Sequence, residues 1–135
     1  MLLVEAKVKR GASEEWAARL RRNMYAHGEL PRVPYFLVGL PDRFFLWGDV
    51  PNPTALVGPD YVIDPTPLLG PYFNRAGTSG EIVTEWGLEL AMSAWLEKLV
   101  TGQTEATGTD DGEWLRESGL LDAIHGGRVA TQVFE

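Results

Sequence analysis

The stretch LLVEAKVKR, residues 2–10, decides how the rest of the chain is read. In extended backbone, side chains alternate between faces with period two. Leu2, Val4, Ala6 and Val8 therefore share one face, and Glu5, Lys7 and Lys9 the other. One face is apolar and asks for a core; the other sets a carboxylate beside an ammonium. That pattern suits either an ordinary half-buried strand or one wall of a metal site, and the surroundings have to discriminate.

Working outward, GASEEWAARLRRNMYAHG (11–28) reads as an amphipathic helix. Ser13 suits the N-cap, Glu14 and Glu15 the positive end of the helix dipole, and Gly28 the position after the last turn. Trp16, Leu20 and Met24 recur every four residues, with Ala17 beside them, and predict the stripe that packs on a sheet. Arg19 and Arg22 lie off that stripe, and Arg19 is placed to pair with Glu15 one turn earlier. PYFLVGL (34–40) and RFFLW (43–47), separated by Pro41 and Asp42, predict an antiparallel hairpin. The first is apolar on both faces, as in a central strand covered from both sides.

Five prolines between Asp49 and Pro67 predict an irregular surface crossing rather than regular structure. A short helix is expected over 68–73. EIVTEWGLELAMSAWLEKLV (81–100) is the clearest helix, with Ile82, Trp86, Leu90 and Ala94 in one apolar row and Val83, Ala91, Trp95 and Leu99 in the next. The width of that face predicts a largely buried element. Glu81, Glu85 and Glu89 form a like-charged row expected to face solvent. TGQTEATGTDDG (101–112) reads as a polar loop. The remainder predicts a helical turn around Trp114, another over 120–124, and a final strand containing Val129, Thr131 and Val133.

The 135 residues, 44% hydrophobic and with a single run of such elements, predict one domain over 1–135. The fold class is α/β: a small mixed sheet of about three or four strands flanked by helices. With no cysteine, disulfides, thiolate zinc sites and cysteine nucleophiles are excluded, and a cytoplasmic setting is expected. No apolar run reaches the ~20 residues of a membrane span, so no membrane partner is expected. The net charge of −7 is uneven: residues 1–32 carry seven Lys and Arg against four Glu, net +3, which leaves −10 on the remainder. A surface for a polyanion such as DNA is therefore expected on the N-terminal third.

Several machines are absent from the sequence. It has no phosphate-binding G-x-x-x-x-G-K-[ST] loop, no G-x-G-x-x-G turn and no H-E-x-x-H pair. His27 and His125 each precede a glycine at a predicted helix end, where the dipole accounts for them. Ser79 in GTSG lacks the spacing of a nucleophile elbow. What remains is E-x-K on a strand. A divalent ion held by the Glu5 carboxylate and the Ala6 carbonyl can activate water against a phosphodiester, and Lys7 can orient that water or offset developing charge.

An apolar strand with E-x-K, then a basic amphipathic helix, then an apolar strand resembles the second half of the PD-(D/E)XK nuclease core, the restriction-endonuclease-like fold. LLVEAKVKRGASEEWAARLRRNM, PYFLVGLPDRFFLW and LRESGLLDAIHGGRV look like a group of small, uncharacterised bacterial proteins placed in that superfamily. The resemblance implies a Mg²⁺- or Mn²⁺-dependent phosphodiesterase acting on DNA, with Glu5 as metal ligand and catalytic residue, the Ala6 carbonyl as second ligand, Lys7 as catalytic lysine, and Arg19, Arg22 and Lys9 as phosphate contacts. A degenerate interaction or assembly module of the same fold is the alternative.

In that superfamily a preceding strand supplies an aspartate, which has no counterpart before Glu5 here. Three expectations follow, in order: a shortened relative kept for binding, a piece of a longer chain with the acid upstream, or a substitute carboxylate from Asp60, Asp64 or Glu85. Without preceding strands, residues 2–9 are expected to present an unpaired edge that recruits a second copy or a partner protein.

Overall fold

The computed structural model describes residues 2–28, 34–48, 52, 54–101, 113–120 and 129–131. Along the chain run β1 (Leu2–Ala6), α1 (Glu14–His27), β2 (Tyr35–Gly39), β3 (Phe44–Trp47), β4 (Tyr61–Ile63), α2 (Thr66–Arg75), α3 (Glu85–Thr101), α4 (Glu113–Glu117) and β5 (Val129–Thr131). The strands form one mixed sheet in the order β4-β3-β2-β1-β5. β1 is parallel to both its neighbours, with Leu3 opposite Phe36 of β2 and Ala130 of β5. The β2–β3 and β3–β4 pairs are antiparallel. This is the expected small α/β architecture.

Period-two alternation sorts the sheet into two cores. Leu2, Val4, Ala6, Leu37, Phe44 and Leu46 meet α2, α3 and the Trp114–Leu120 segment on one face. Leu3, Phe36, Val38, Phe45 and Trp47 meet α1 on the other. Both faces of β1, β2 and β3 are covered, which is why these strands read as near-continuous apolar runs. Each large side chain so buried contributes on the order of 1.5–3 kcal/mol. The Trp47 indole also donates to the Val57 carbonyl at 2.8 Å, so its polar edge is satisfied while its ring packs edge-on against Phe36.

The α1 start follows the sequence: the Ser13 hydroxyl accepts the Trp16 N–H at 3.0 Å, with Glu14 and Glu15 in the first turn. Gly28 does end the helix, but at φ −113°, in extended backbone, so its left-handed freedom is unused. Its most buried line is Ala17, Ala18 and Arg21, with Trp16, Leu20 and Met24 only half-buried along the sides. The two alanines let the helix come close to the sheet, and the longer side chains drape over its flanks. Arg21, one of the cations in the basic N-terminal third, is not at the surface. Its guanidinium lies 4.9 Å from the Tyr25 ring centre and 5.8 Å from those of Phe36 and Trp47, and burial lowers its pKa.

Other expectations are corrected. Residues 2–9 do not present an open edge: β2 and β5 flank β1 on either side, and β4 and β5 are the outer strands. The proline-rich crossing contains a strand after all, because Tyr61–Ile63 lies between Pro59 and Pro65 and an edge strand needs only one ladder. The sheet has five strands for this reason. α2 is longer than residues 68–73 and tolerates Pro71 inside it. α3 begins at Glu85 rather than 81, where the Thr84 hydroxyl accepts the Gly87 N–H at 3.1 Å. Its apolar surface is not all buried: Val83, Ala91, Trp95 and Leu99 are in the core, but Ile82, Trp86 and Leu90 face solvent. The helical turn at Trp114 is α4; the loop over 101–112 and the turn over 120–124 fall almost wholly outside the described residues, as does Val133.

Gly39, at the end of β2, faces the thioether end of Met92 from α3 so closely that a Cβ would collide with it. Gly39→Ala is expected to destabilise the fold by about 1–3 kcal/mol, with Met92→Leu restoring part of the loss; urea denaturation of the single and double variants measures both.

Candidate functional site

The carboxyl end of β1 carries Glu5, Ala6 and Lys7, and several contacts hold the chain just beyond it. The Lys7 N–H donates to the Gly39 carbonyl at 3.0 Å, extending the β1–β2 ladder by one step. Gly11 turns the chain at φ +70°, a left-handed conformation that glycine adopts without strain, and its N–H donates to the Asp42 carboxylate at 2.9 Å. The Arg10 guanidinium donates to the Gly80 carbonyl from Nε at 2.9 Å. The segment after the strand is thus tied to the β2–β3 turn and to the approach to α3.

Glu5 is only 2% exposed. It alternates with Leu3 and pairs in register with Val38, which places it on the face that α1 covers. The Lys7 ammonium lies 3.6 Å from Glu5 Oε1, within ion-pair range, and is itself 40% exposed. Oε1 is buried and has no hydrogen-bond partner among the described residues. Burial raises the Glu5 pKa from the usual 4.5 to about 7; Lys7 opposes the rise, and the carboxylates of Glu85 and Glu89 add to it. Glu89 is half-buried, and its own pKa is raised by burial and by Glu85. Of the acidic row, Glu81 and Glu85 are exposed as expected and Glu89 is half-buried, and Glu85 and Glu89 also belong to the electrostatic surroundings of Glu5.

The other carboxylates weighed as substitutes are engaged elsewhere. Asp64 accepts the Thr66 N–H at 2.9 Å at the start of α2, and its hydrogen bonds with Thr66 hold its pKa below the ordinary range. Asp60 accepts the Gly48 N–H at 2.7 Å beyond β3. Glu85 is the member of that trio coupled to Glu5; Glu89, one turn on, was missed. The signal that could have found it was its spacing, since residues four apart share a helix face. Among the described residues no three His, Cys, Asp or Glu side chains form a group able to hold a metal ion by themselves.

Arg19 pairs with Glu15 on the exposed side of α1. The Lys9 ammonium lies 5.4 Å from the Trp16 ring centre, and Arg22 is half-buried on α1. No hydrogen bond or ion pair among the described residues ties these three cations to Glu5 or Lys7. Arg19 and Arg22 sit on the helix that follows β1, and Lys9 reaches it from the segment between the two, as a separate basic surface. Among the described residues, no helix is long and apolar enough to cross a membrane. Compared with known protein families, with curated proteins and with solved structures, the chain matches none.

The raised pKa of Glu5 has a sign that stability measurements can read. Between pH 4.5 and 7 the folded chain keeps a proton that the unfolded chain has lost, so the cost of burying this carboxylate is absent at low pH and complete above 7. Full ionisation is expected to cost on the order of 3 kcal/mol. The stability advantage of Glu5→Gln over the natural chain should therefore grow from pH 5 to pH 8 in metal-free urea titrations. A pH-independent difference would mean that Glu5 ionises in its ordinary range.

Proposed function

We propose that the chain is a nuclease-like protein: a divalent-metal-dependent phosphodiesterase acting on DNA, with its site at the carboxyl end of β1. The observation that carries this reading is the Glu5 carboxylate, buried with one oxygen lacking a hydrogen-bond partner and coupled to a lysine and two further acids. A hard cation suits such an oxygen, which the Lys7 ammonium approaches to 3.6 Å without a hydrogen bond to satisfy it. Glu5 and the Ala6 carbonyl would hold Mg²⁺ or Mn²⁺, with water completing the shell, as Mg²⁺ prefers. When bound, the ion supplies Lewis acidity and a more acidic water.

The residues of the chain divide the remaining work. Lys7, half-exposed beside Glu5, puts a fixed positive charge where a phosphoryl oxygen would lie and offsets charge that builds on it. Arg19, Arg22 and Lys9 give α1 a basic surface able to meet phosphates along a strand without reading its sequence. The location also fits the tendency of open α/β sheets to bind ligands beyond the carboxyl ends of parallel strands, since β1 is parallel to both neighbours.

The second reading, a non-catalytic assembly module, is favoured by the same ion pair: Lys7 partly neutralises Glu5 with no ion present. Calorimetric titration with Mn²⁺ separates the two. The nuclease reading expects binding to the natural chain that is lost in Glu5→Gln. It expects Lys7→Ala to keep Mn²⁺ binding but cut plasmid cleavage by about 10²–10³. Absence of Mn²⁺ binding to the natural chain would leave Glu5 and Lys7 as a structural pair and support the module.

A further inference from the structure

The end of the sheet opposite Glu5 holds a pocket that neither the core nor the carboxylate site explains. It has a volume of about 300 Å³ and is lined by Tyr35, Leu46, Gly48, Asp60, Tyr61 and Glu117 among others. No lysine, arginine or histidine is among the described residues that line it. The walls follow from the register. Leu46 of β3 pairs with Tyr61 of β4, and one step beyond the Phe36–Trp47 pair sets Tyr35 of β2 against Gly48. Both tyrosines are half-buried and pack against the core on the α2 and α3 face, so their rings rise from the same side of the sheet. Two strand spacings across and two residues along put their Cα positions about 12 Å apart, with β3 between them as the floor. Gly48 adds no side chain to that floor. The end of α4 closes a further side: the Tyr35 hydroxyl donates to the Ser118 carbonyl at 2.8 Å, which fixes the ring and brings Glu117 to the rim. Asp60, also at the rim, is held by the Gly48 N–H at 2.7 Å. Among the described residues neither exposed acid forms a salt bridge, though Asp60 also attracts the buried Arg21 on the far side of the sheet.

We propose that this pocket binds a small methylated ammonium ion, its head between the Tyr35 and Tyr61 rings and its charge met by Asp60 and Glu117 at the rim. The lining selects the ligand. Two rings rooted about 12 Å apart can each come within roughly 6 Å of a trimethylammonium centre, the reach of a cation–π contact. Such a head carries no N–H and asks for no hydrogen-bond acceptor, which suits walls whose Tyr35 hydroxyl and Asp60 Oδ2 are already engaged. Its positive charge is attracted by the two carboxylates, which would repel an anion. An uncharged molecule of the same shape gains from neither the carboxylates nor the ring quadrupoles. The pocket lies at the amino ends of β2 and β4, away from the carboxyl end of β1, so the proposal rests on no assumption about the reaction.

Calorimetric titration of the full chain with choline tests it, beside the same titration with the uncharged isostere in which a tert-butyl group replaces the trimethylammonium. The expected result is saturable choline binding with a millimolar or tighter dissociation constant, and binding of the isostere at least ~10-fold weaker. Tyr61→Leu should weaken choline binding about tenfold, whereas Tyr61→Phe, which keeps the ring, should retain it. Glu117→Gln, at an exposed position, should weaken it several-fold with the far-ultraviolet circular dichroism unchanged. Absence of saturable binding at millimolar choline would overturn the proposal. So would an isostere that binds as well as choline, or choline binding indifferent to both Tyr61→Leu and Glu117→Gln.

Discussion

The placement of β1 governs the rest of the molecule. Five residues, one of them a glutamate, lie in the middle of the sheet with a parallel neighbour on each side and an apolar layer above and below. A strand in that position has no solvent-facing surface to give its polar residue, so Glu5 must be accommodated by what surrounds it. The apolar alternation on either side of it holds the register, since a slip of one residue would exchange the two cores.

Burying a carboxylate is costly unless it is neutralised, paired or bound to an ion. Here each response is partly present. The pKa rises towards neutrality, Lys7 stands at ion-pair distance, and one oxygen remains without a hydrogen-bond partner. Glu85 and Glu89 make matters worse rather than better, because more negative charge is drawn towards a group that already resists ionisation. A fold selected only for stability has cheaper residues to put at position 5. Strained electrostatics of this kind tend to gather where chemistry is done, which is why this end of the strand carries the functional proposal.

Distribution of apolar surface on α3 shows a second constraint. A helix packed on a sheet can bury little more than half of its circumference, and α3 spends that half on Leu88, Ala91, Met92, Trp95, Leu96 and Leu99. Its outer apolar residues are therefore left over on the open side instead of widening the core. α1 solves the same geometry differently, with small residues at the point of closest approach and one buried guanidinium lodged among three aromatic rings.

Much was legible before any coordinates. Alternation in residues 2–8, the Ser13 cap with its following acids, and the Pro41–Asp42 turn are local signals, and each specifies its element because backbone sterics and short-range hydrogen bonds act within a few residues. The α/β class followed from their order. The candidate pair Glu5 and Lys7 was legible too, since strand periodicity alone puts them side by side. Tertiary structure decided what depends on partners distant in sequence: that β5 closes the far side of β1, that Arg21 is interior, that Ile82, Trp86 and Leu90 face outward, and that Glu85 and Glu89 rather than Asp60 or Asp64 press on Glu5. A helical wheel shows which residues share a face. It cannot show which face meets the sheet, because that is settled by packing and burial summed over the whole chain.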